Sequence, residues 1–448
     1  MLVNDTVRAR VRGLDSSGNP KQIGLVTWHS ENPAIASIDE DGLVHGLSLG
    51  STRIVASADG ITQTSALTVA GILHDDSIRT DQTWTLGDAP HVVRGRLQVG
   101  APGGVTLTIE PGVEILFRQG AALDFGMGGP GTFSTSGTGE VITMRAESDT
   151  ASPGHWVGLT FRSESHGDLR NVKLSRCGET TGDGAGACIV LRNWGGIGPP
   201  APTLLVDGVT VEYAAAGGVL LEGKSRFAPG SKNLTVVNSI GYAASVTAGA
   251  LDHFPYGGSF SGNTVSEIQV SGDTLEASAT LRDVGLIWRI LEPVFVQGPQ
   301  APVLTIGPGV RARFEYASGM IIGEGYPAGL VVGEPGGAMV HLEEAHEHGW
   351  SGIMLREHAI GSSMTNVGLR RCDGCIELIG DMSGNGPAPA LQSVAIHDAA
   401  WIGIVVVRGA RIGQGSSNLS VDGNARLPNG DRCQCHRIHP NGELHRQR

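Results

Sequence analysis

The sequence predicts an all-β protein: a small β-sandwich over residues 1–70, then a parallel β-solenoid assembled from two repeats of roughly 190 residues each. Three observations carry this. Residues 1 to 70 alternate between apolar and polar on a strand period, with turn-forming clusters between the runs. Glycine then rises to dominate, with 68 glycines in 448 residues, about 15% against a usual ~7%. Finally, four phrases of the later sequence recur in the same order.

Composition removes several classes. Charged residues make up 17% and aromatic residues 5%, which excludes a highly charged disordered chain, and the glycines lack the G-X-Y period of collagen. There is no apolar run of ~18 residues, so no transmembrane helix is expected. The net charge of −12 argues against nucleic acid as a partner, because such binding requires a basic footprint. The first fifteen residues are polar and carry three arginines, so no signal peptide is visible.

In the first segment the strand runs are Val7–Val11, Val26–Trp28, Ala34–Ile38, Arg53–Ala56 and Ala66–Val69. They are separated by Asp15-Ser16-Ser17-Gly18-Asn19-Pro20, Asn32-Pro33, Asp41-Gly42 and Asp59-Gly60. Short strands at ~10-residue spacing read as a sandwich. The stretch from Val26-Thr27-Trp28 through Asn32-Pro33, Ile35-Ala36, Asp41-Gly42-Leu43-Val44 and Gly50-Ser51-Thr52 resembles the bacterial immunoglobulin-like group 2 domain. That resemblance implies a stalk or spacer of a secreted or surface protein. The family's first strand is incomplete before Leu2, so a chain cut from a longer protein is expected.

In the later sequence, Leu107-Thr108-Ile109-Glu110-Pro111-Gly112-Val113 returns as Leu304-Thr305-Ile306-Gly307-Pro308-Gly309-Val310. His155-Trp156-Val157-Gly158-Leu159 returns as Gly349-Trp350-Ser351-Gly352-Ile353, and Asn171-Val172 with Cys177 returns as Asn366-Val367 with Cys372. Gly230-Ser231-Lys232-Asn233-Leu234 returns as Gly415-Ser416-Ser417-Asn418-Leu419. The expected units are 75–262 and 270–425, with 426–448 as a frayed or disordered tail. Within each unit short β-runs follow one another without helix. Asn171, Asp207 and Asn233 fall at the start of such runs or within them, as stacked solenoid turns would place them. An array of sandwiches would instead need two-residue hairpin turns, and only Asp207-Gly208 sits directly between two clear apolar runs.

The phrases Leu107–Val113, Trp156–Leu159 and Leu169–Val172 also resemble secreted bacterial right-handed parallel β-helix proteins of the pectate-lyase-like superfamily. That superfamily spans lyases, hydrolases and non-catalytic surface proteins, so the resemblance implies a fold more than an activity.

Individual motifs yield little chemistry. Gly46-Leu47-Ser48-Leu49-Gly50 fits a nucleophile elbow, but a strand follows it where a helix is required. Gly126-Met127-Gly128-Gly129-Pro130-Gly131 fits a dinucleotide loop, but no helix opens after it. The pair Cys372 and Cys375 corresponds by repeat to Cys177 and Cys188. No further ligands align for zinc, so local disulfides are expected, with free thiols as the alternative. His341, His346 and His348 lie in a stretch with three glutamates and are weak metal candidates, set against a solvated loop. Cys433, Cys435 and His436 fit no metal-ligand spacing. No catalytic residue is assigned, because paired outward carboxylates and basic lyase motifs are absent, and calcium lacks a supporting motif.

The expected function is therefore a non-catalytic secreted or cell-surface protein with an Ig-like spacer and a β-helix, adhesive, glycan-binding or structural. The alternative is a polysaccharide lyase or glycoside hydrolase with a groove on the coil. A polysaccharide or cell-surface glycan is the expected partner, and the oligomeric state is not legible.

Overall fold

The structure is a computed structural model. It describes residues 1–423 except 136, 138, 163, 180–185, 194–199, 347 and 348. Beyond 423 it describes only the backbone of two short strands, His436–Ile438 and Leu444–Arg446, so the expected tail lies almost wholly outside the described residues.

Residues 1–70 pack two small antiparallel sheets. One orders Thr6–Arg8, Leu43–Gly46 and Ala36–Ile38; the other orders Thr27–Ser30, Gly50–Ala58 and Ile61–Val69. Their core is Ala36, Val44, Ile54 and Val69. Asp39-Glu40-Asp41-Gly42 is a tight turn, in which the Asp39 carboxylate accepts from the backbone N–H of Asp41 and Leu43.

From Ile72 onward the chain coils. In the first half a turn of the coil lays one strand on each of three faces: Glu114–Phe117 on face 1, Ala122–Phe125 on face 2 and Gly131–Thr135 on face 3. Each strand pairs in parallel with its counterpart on the next turn, Ile142–Ala146, Gly158–Phe161 and His166–Ser175. The solenoid expectation thus holds, and with it the all-β class. Inward positions are apolar and buried because the three faces close on one another, as in Val105, Leu107 and Ile109 alternating with Thr106 and Thr108.

Corners explain several residues that the composition made conspicuous. The long strand His166–Ser175 serves face 3 of one turn and face 1 of the next, and it bends at Asn171, whose φ is 51°. Gly208 (φ 71°), Asn233 (55°), Asn366 (59°) and Asn418 (54°) occupy similar bends. Asparagine and glycine tolerate this left-handed conformation. Asp207-Gly208 is accordingly a corner within the continuous strand Thr203–Glu212, not a hairpin.

Phrases matched in the sequence occupy matching places. Trp156 stacks on Phe117 with ring centroids 3.8 Å apart, and Trp350 stacks on Phe314 at 4.1 Å. Each indole Nε1 donates to a backbone carbonyl, Ser175 at 2.9 Å and Arg370 at 3.0 Å.

Between the halves the coil slips by one face. Ala244–Thr247, on face 2 of the first half, pairs with Glu267–Ser271. That strand pairs with Ile287–Ile290 and onward to Arg311–Phe314, which is face 1 of the second half. The intervening chain holds the 3₁₀ helix Ala248–His253. Face 2 of the second half therefore begins as a separate six-stranded sheet: Thr274–Leu275, Val294–Val296, Gly319–Ile322, Gly352–Leu355, Gly374–Ile379 and Ile402–Val407.

Candidate binding face

The six-stranded sheet has an outward row unlike the others. Its inward residues, among them Val296, Ile322, Ile353, Leu355, Ile376 and Leu378, are fully buried. The residues between them point the other way and stand in register: Phe295, Ile321, Met354, Glu377 and Val405. All five are half-buried. With parallel strands ~4.8 Å apart, the row from Phe295 to Val405 is about 19 Å long. It is an apolar strip interrupted by one carboxylate.

Exposed aromatic residues sit on the turns at both edges of this sheet. At the corner entering it from face 1 are Tyr316 and, three turns of the coil further, Trp401, 68% and 67% exposed. At the corner leaving it are Tyr326 and Met382, 55% and 89% exposed. Four other tryptophans, Trp84, Trp156, Trp288 and Trp350, are core residues at 2% exposure or less, whereas Trp401 stands in solvent. Exposed aromatic side chains beside a half-buried apolar row are the kind of surface that marks interaction sites.

The charge on this face is acidic. Burial pushes the Glu377 carboxyl up from its ordinary value, and Arg356 pulls it partly back. Burial likewise raises Asp373, on the entering corner. The Arg356 guanidinium lies 3.6 Å from both Glu324 and Glu357, so its charge is already matched. Asp381 is held below the usual carboxylate range by the side-chain and backbone N–H groups of Asn385.

The corresponding row on face 2 of the first half reads Gln98, Asp124, Thr160, Val190 and Leu220. There the polar residues are closed in on themselves. Asp124 is 4% exposed and accepts from Arg96 Nε at 3.1 Å, while Arg79 donates to Gln98. The two rows therefore differ in what they present.

Residues singled out from the sequence fall elsewhere. The structure joins Cys177 to Cys188 and Cys372 to Cys375. Each pair spans the corner between faces 1 and 2, and all four residues are fully buried. His341 is exposed on Val340–Glu344, in register between Arg311 and Gly368. Nε2 of His346 lies 2.8 Å from Arg289 Nη2 and 3.6 Å from Glu315. Arg289 also donates to Glu315 from Nε at 2.9 Å and lies 3.7 Å from Glu267. That cluster pins adjacent turns through a matched guanidinium, with both carboxylates engaged. His348 lies outside the described residues, as do Cys433 and Cys435. Among the described residues, no group of three or more His, Cys, Asp or Glu is gathered to hold a metal ion.

A cavity of about 500 Å³ lies where the Ig-like domain meets the coil, lined by Asp5, His45, His74, Asp75 and Asp76 among others. Behind it, His74, Trp84 and His91 stack, with His74 Nε2 3.0 Å from His91 Nδ1 and His91 Nε2 bonded to the Thr85 carbonyl. Burial, with His91 adding to it, lowers His74 to about 3. This stack belongs to the joint between the domains.

Sequence reasoning did not find the apolar row, although a signal existed. Met320-Ile321-Ile322, Ile353-Met354-Leu355 and Ile404-Val405-Val406-Val407 are continuous apolar runs, whereas Val105–Ile109 alternates. A continuous run means a strand apolar on both sides.

The bacterial Ig-like domain (group 2) family matches residues 5–69, and those residues form such a domain. No curated protein matches the chain. Among solved structures, the family 28 exopolygalacturonase of Yersinia enterocolitica is similar at 10% identity, over 88% of this chain and 83% of that one, with a TM-score of 0.24. The molecule is thus an Ig-like domain leading into a three-faced parallel β-solenoid, and the solenoid rests on its own strand pairings. No helix among the described residues is long and apolar enough to cross a membrane.

Proposed function

We propose that this chain is a non-catalytic, extracellular or cell-surface polysaccharide-binding protein, with the Ig-like domain as spacer and face 2 of the second half as the binding face. The observation carrying this reading is the pairing of an apolar outward row with exposed Tyr316 and Trp401 along one edge. Pyranose rings offer apolar C–H faces and polar rims. A flat strip edged by aromatic rings, whose bodies are apolar and whose tips hydrogen-bond, complements them. A strip about 19 Å long suits a polymer lying along the coil. The matched stacks of Trp156 and Trp350 support descent of the two halves from one duplicated unit. The buried cysteine pairs support folding in an oxidising compartment.

The test is binding of the intact protein to a panel of soluble polysaccharides by affinity electrophoresis. Retardation by at least one polysaccharide is expected, with Trp401→Ala and Tyr316→Ala each weakening it tenfold or more at unchanged Tm. No retardation across the panel would sink the reading. Incubation with polyuronates, with and without calcium, is expected to give no rise in absorbance from unsaturated products. A rise would favour a lyase instead.

A further inference from the structure

We infer that the polymer bound on this face is uncharged, and that Glu377 excludes polyuronates from it; this deepens the glycan-binding reading and rests on it. Glu377 is the single ionisable group in the outward row, placed between Met354 and Val405 in register. Its apolar neighbours partly strip it of water, which is why burial raises its pKa. A carboxylate on the ligand would meet it in an environment where like charges are poorly screened.

A polyuronate needs a cation beside Glu377 to offset that repulsion, and the one that acts on Glu377 is already matched. Arg356 is the guanidinium that acts on Glu377, and it already stands between Glu324 and Glu357. Arg408, on the turn after Ile402–Val407, is exposed, and across the same edge stands Asp381, whose carboxylate is held ionised by Asn385. Hydroxyl groups meet none of these obstacles. A hydroxyl donates to the Glu377 carboxylate while its ring lies on Met354 and Ile321, and it accepts from an arginine as readily as it donates to a glutamate. A carboxylate can only accept.

The experiment titrates the intact protein with neutral polysaccharides (a soluble β-glucan, a galactomannan) and with polyuronates (polygalacturonate, alginate) at low and high ionic strength. At low salt, at least one neutral polymer is expected to bind tenfold or more tighter than either polyuronate. The gap should narrow as salt screens the repulsion. Glu377→Gln is expected to raise the polyuronate-to-neutral affinity ratio at least threefold, with the Tm measured alongside. Tighter binding of a polyuronate by the native protein, or a ratio unmoved in Glu377→Gln, would overturn the inference and leave glycan binding standing. Failure of every polymer to bind would overturn both. The salt dependence supplies the answer on native protein even where the variant folds poorly.

Discussion

Trp156 and Trp350 occupy matching corners, each stacked on a phenylalanine of the preceding turn and each donating to a backbone carbonyl. Replacing either with alanine removes a fully buried ring from a close-packed coil. About 3–5 kcal/mol of stability is expected to go with it, read as a Tm several degrees lower; an unchanged Tm would contradict the packing. His74 supplies a pH effect whose sign is fixed. Its folded pKa, about 3, lies below the ordinary 6.5, so the unfolded chain binds the proton first as pH falls. The contribution is complete above 6.5 and is lost progressively toward 3, about 2 kcal/mol of it by pH 5. Denaturant midpoints at pH 7 and pH 5 are expected to differ by less in His74→Gln than in the native chain. The inward residues of the coil were legible in the sequence because closure of three faces enforces alternation. Glu377 and Met354 were not, because a strand apolar on both sides reads like any buried strand until its register is known.

At the scale of elements, the corners carry the fold. Asparagine and glycine at φ > 0 let one strand turn from face 3 to face 1 without interrupting its pairing, and the spacing of Asn171, Asp207 and Asn233 made that repeat readable. The slip between halves was not readable. It depends on Ala244–Thr247 pairing with Glu267–Ser271, a choice between equivalent sheet edges that local pattern does not encode. The cysteine pairs fasten the corner between faces 1 and 2 in each half. Thiol labelling of the unfolded, unreduced protein should therefore find at most Cys433 and Cys435 free; four or more free thiols would refute at least one of the pairings. The first edge of the coil is covered by the N-terminal segment, where Val3 donates to Gly71 and accepts from Leu73. Val3→Pro removes that donor, and the exposed edge is expected to promote association, visible as a shift to larger species in light scattering.

For the whole molecule, the slip turns the second half's sheets by one face, so the apolar row begins a sheet of its own beyond the first half. Glycine abundance and the repeated phrases announced the coil, but the proposed binding surface lies where the two halves differ: Ile321 and Met354 stand where the first half has Asp124 and Thr160. Repeats reveal what is shared, and the proposed binding falls on what is not. The most direct test is hydroxyl-radical footprinting of the intact protein with and without a saturating neutral polysaccharide. Binding along this face predicts slower oxidation of Trp401, Tyr316 and Met354, with Tyr213 and Tyr256, exposed in the first half, unchanged. Protection of Tyr213 or Tyr256 while Trp401 and Tyr316 oxidise at their free rates would contradict it.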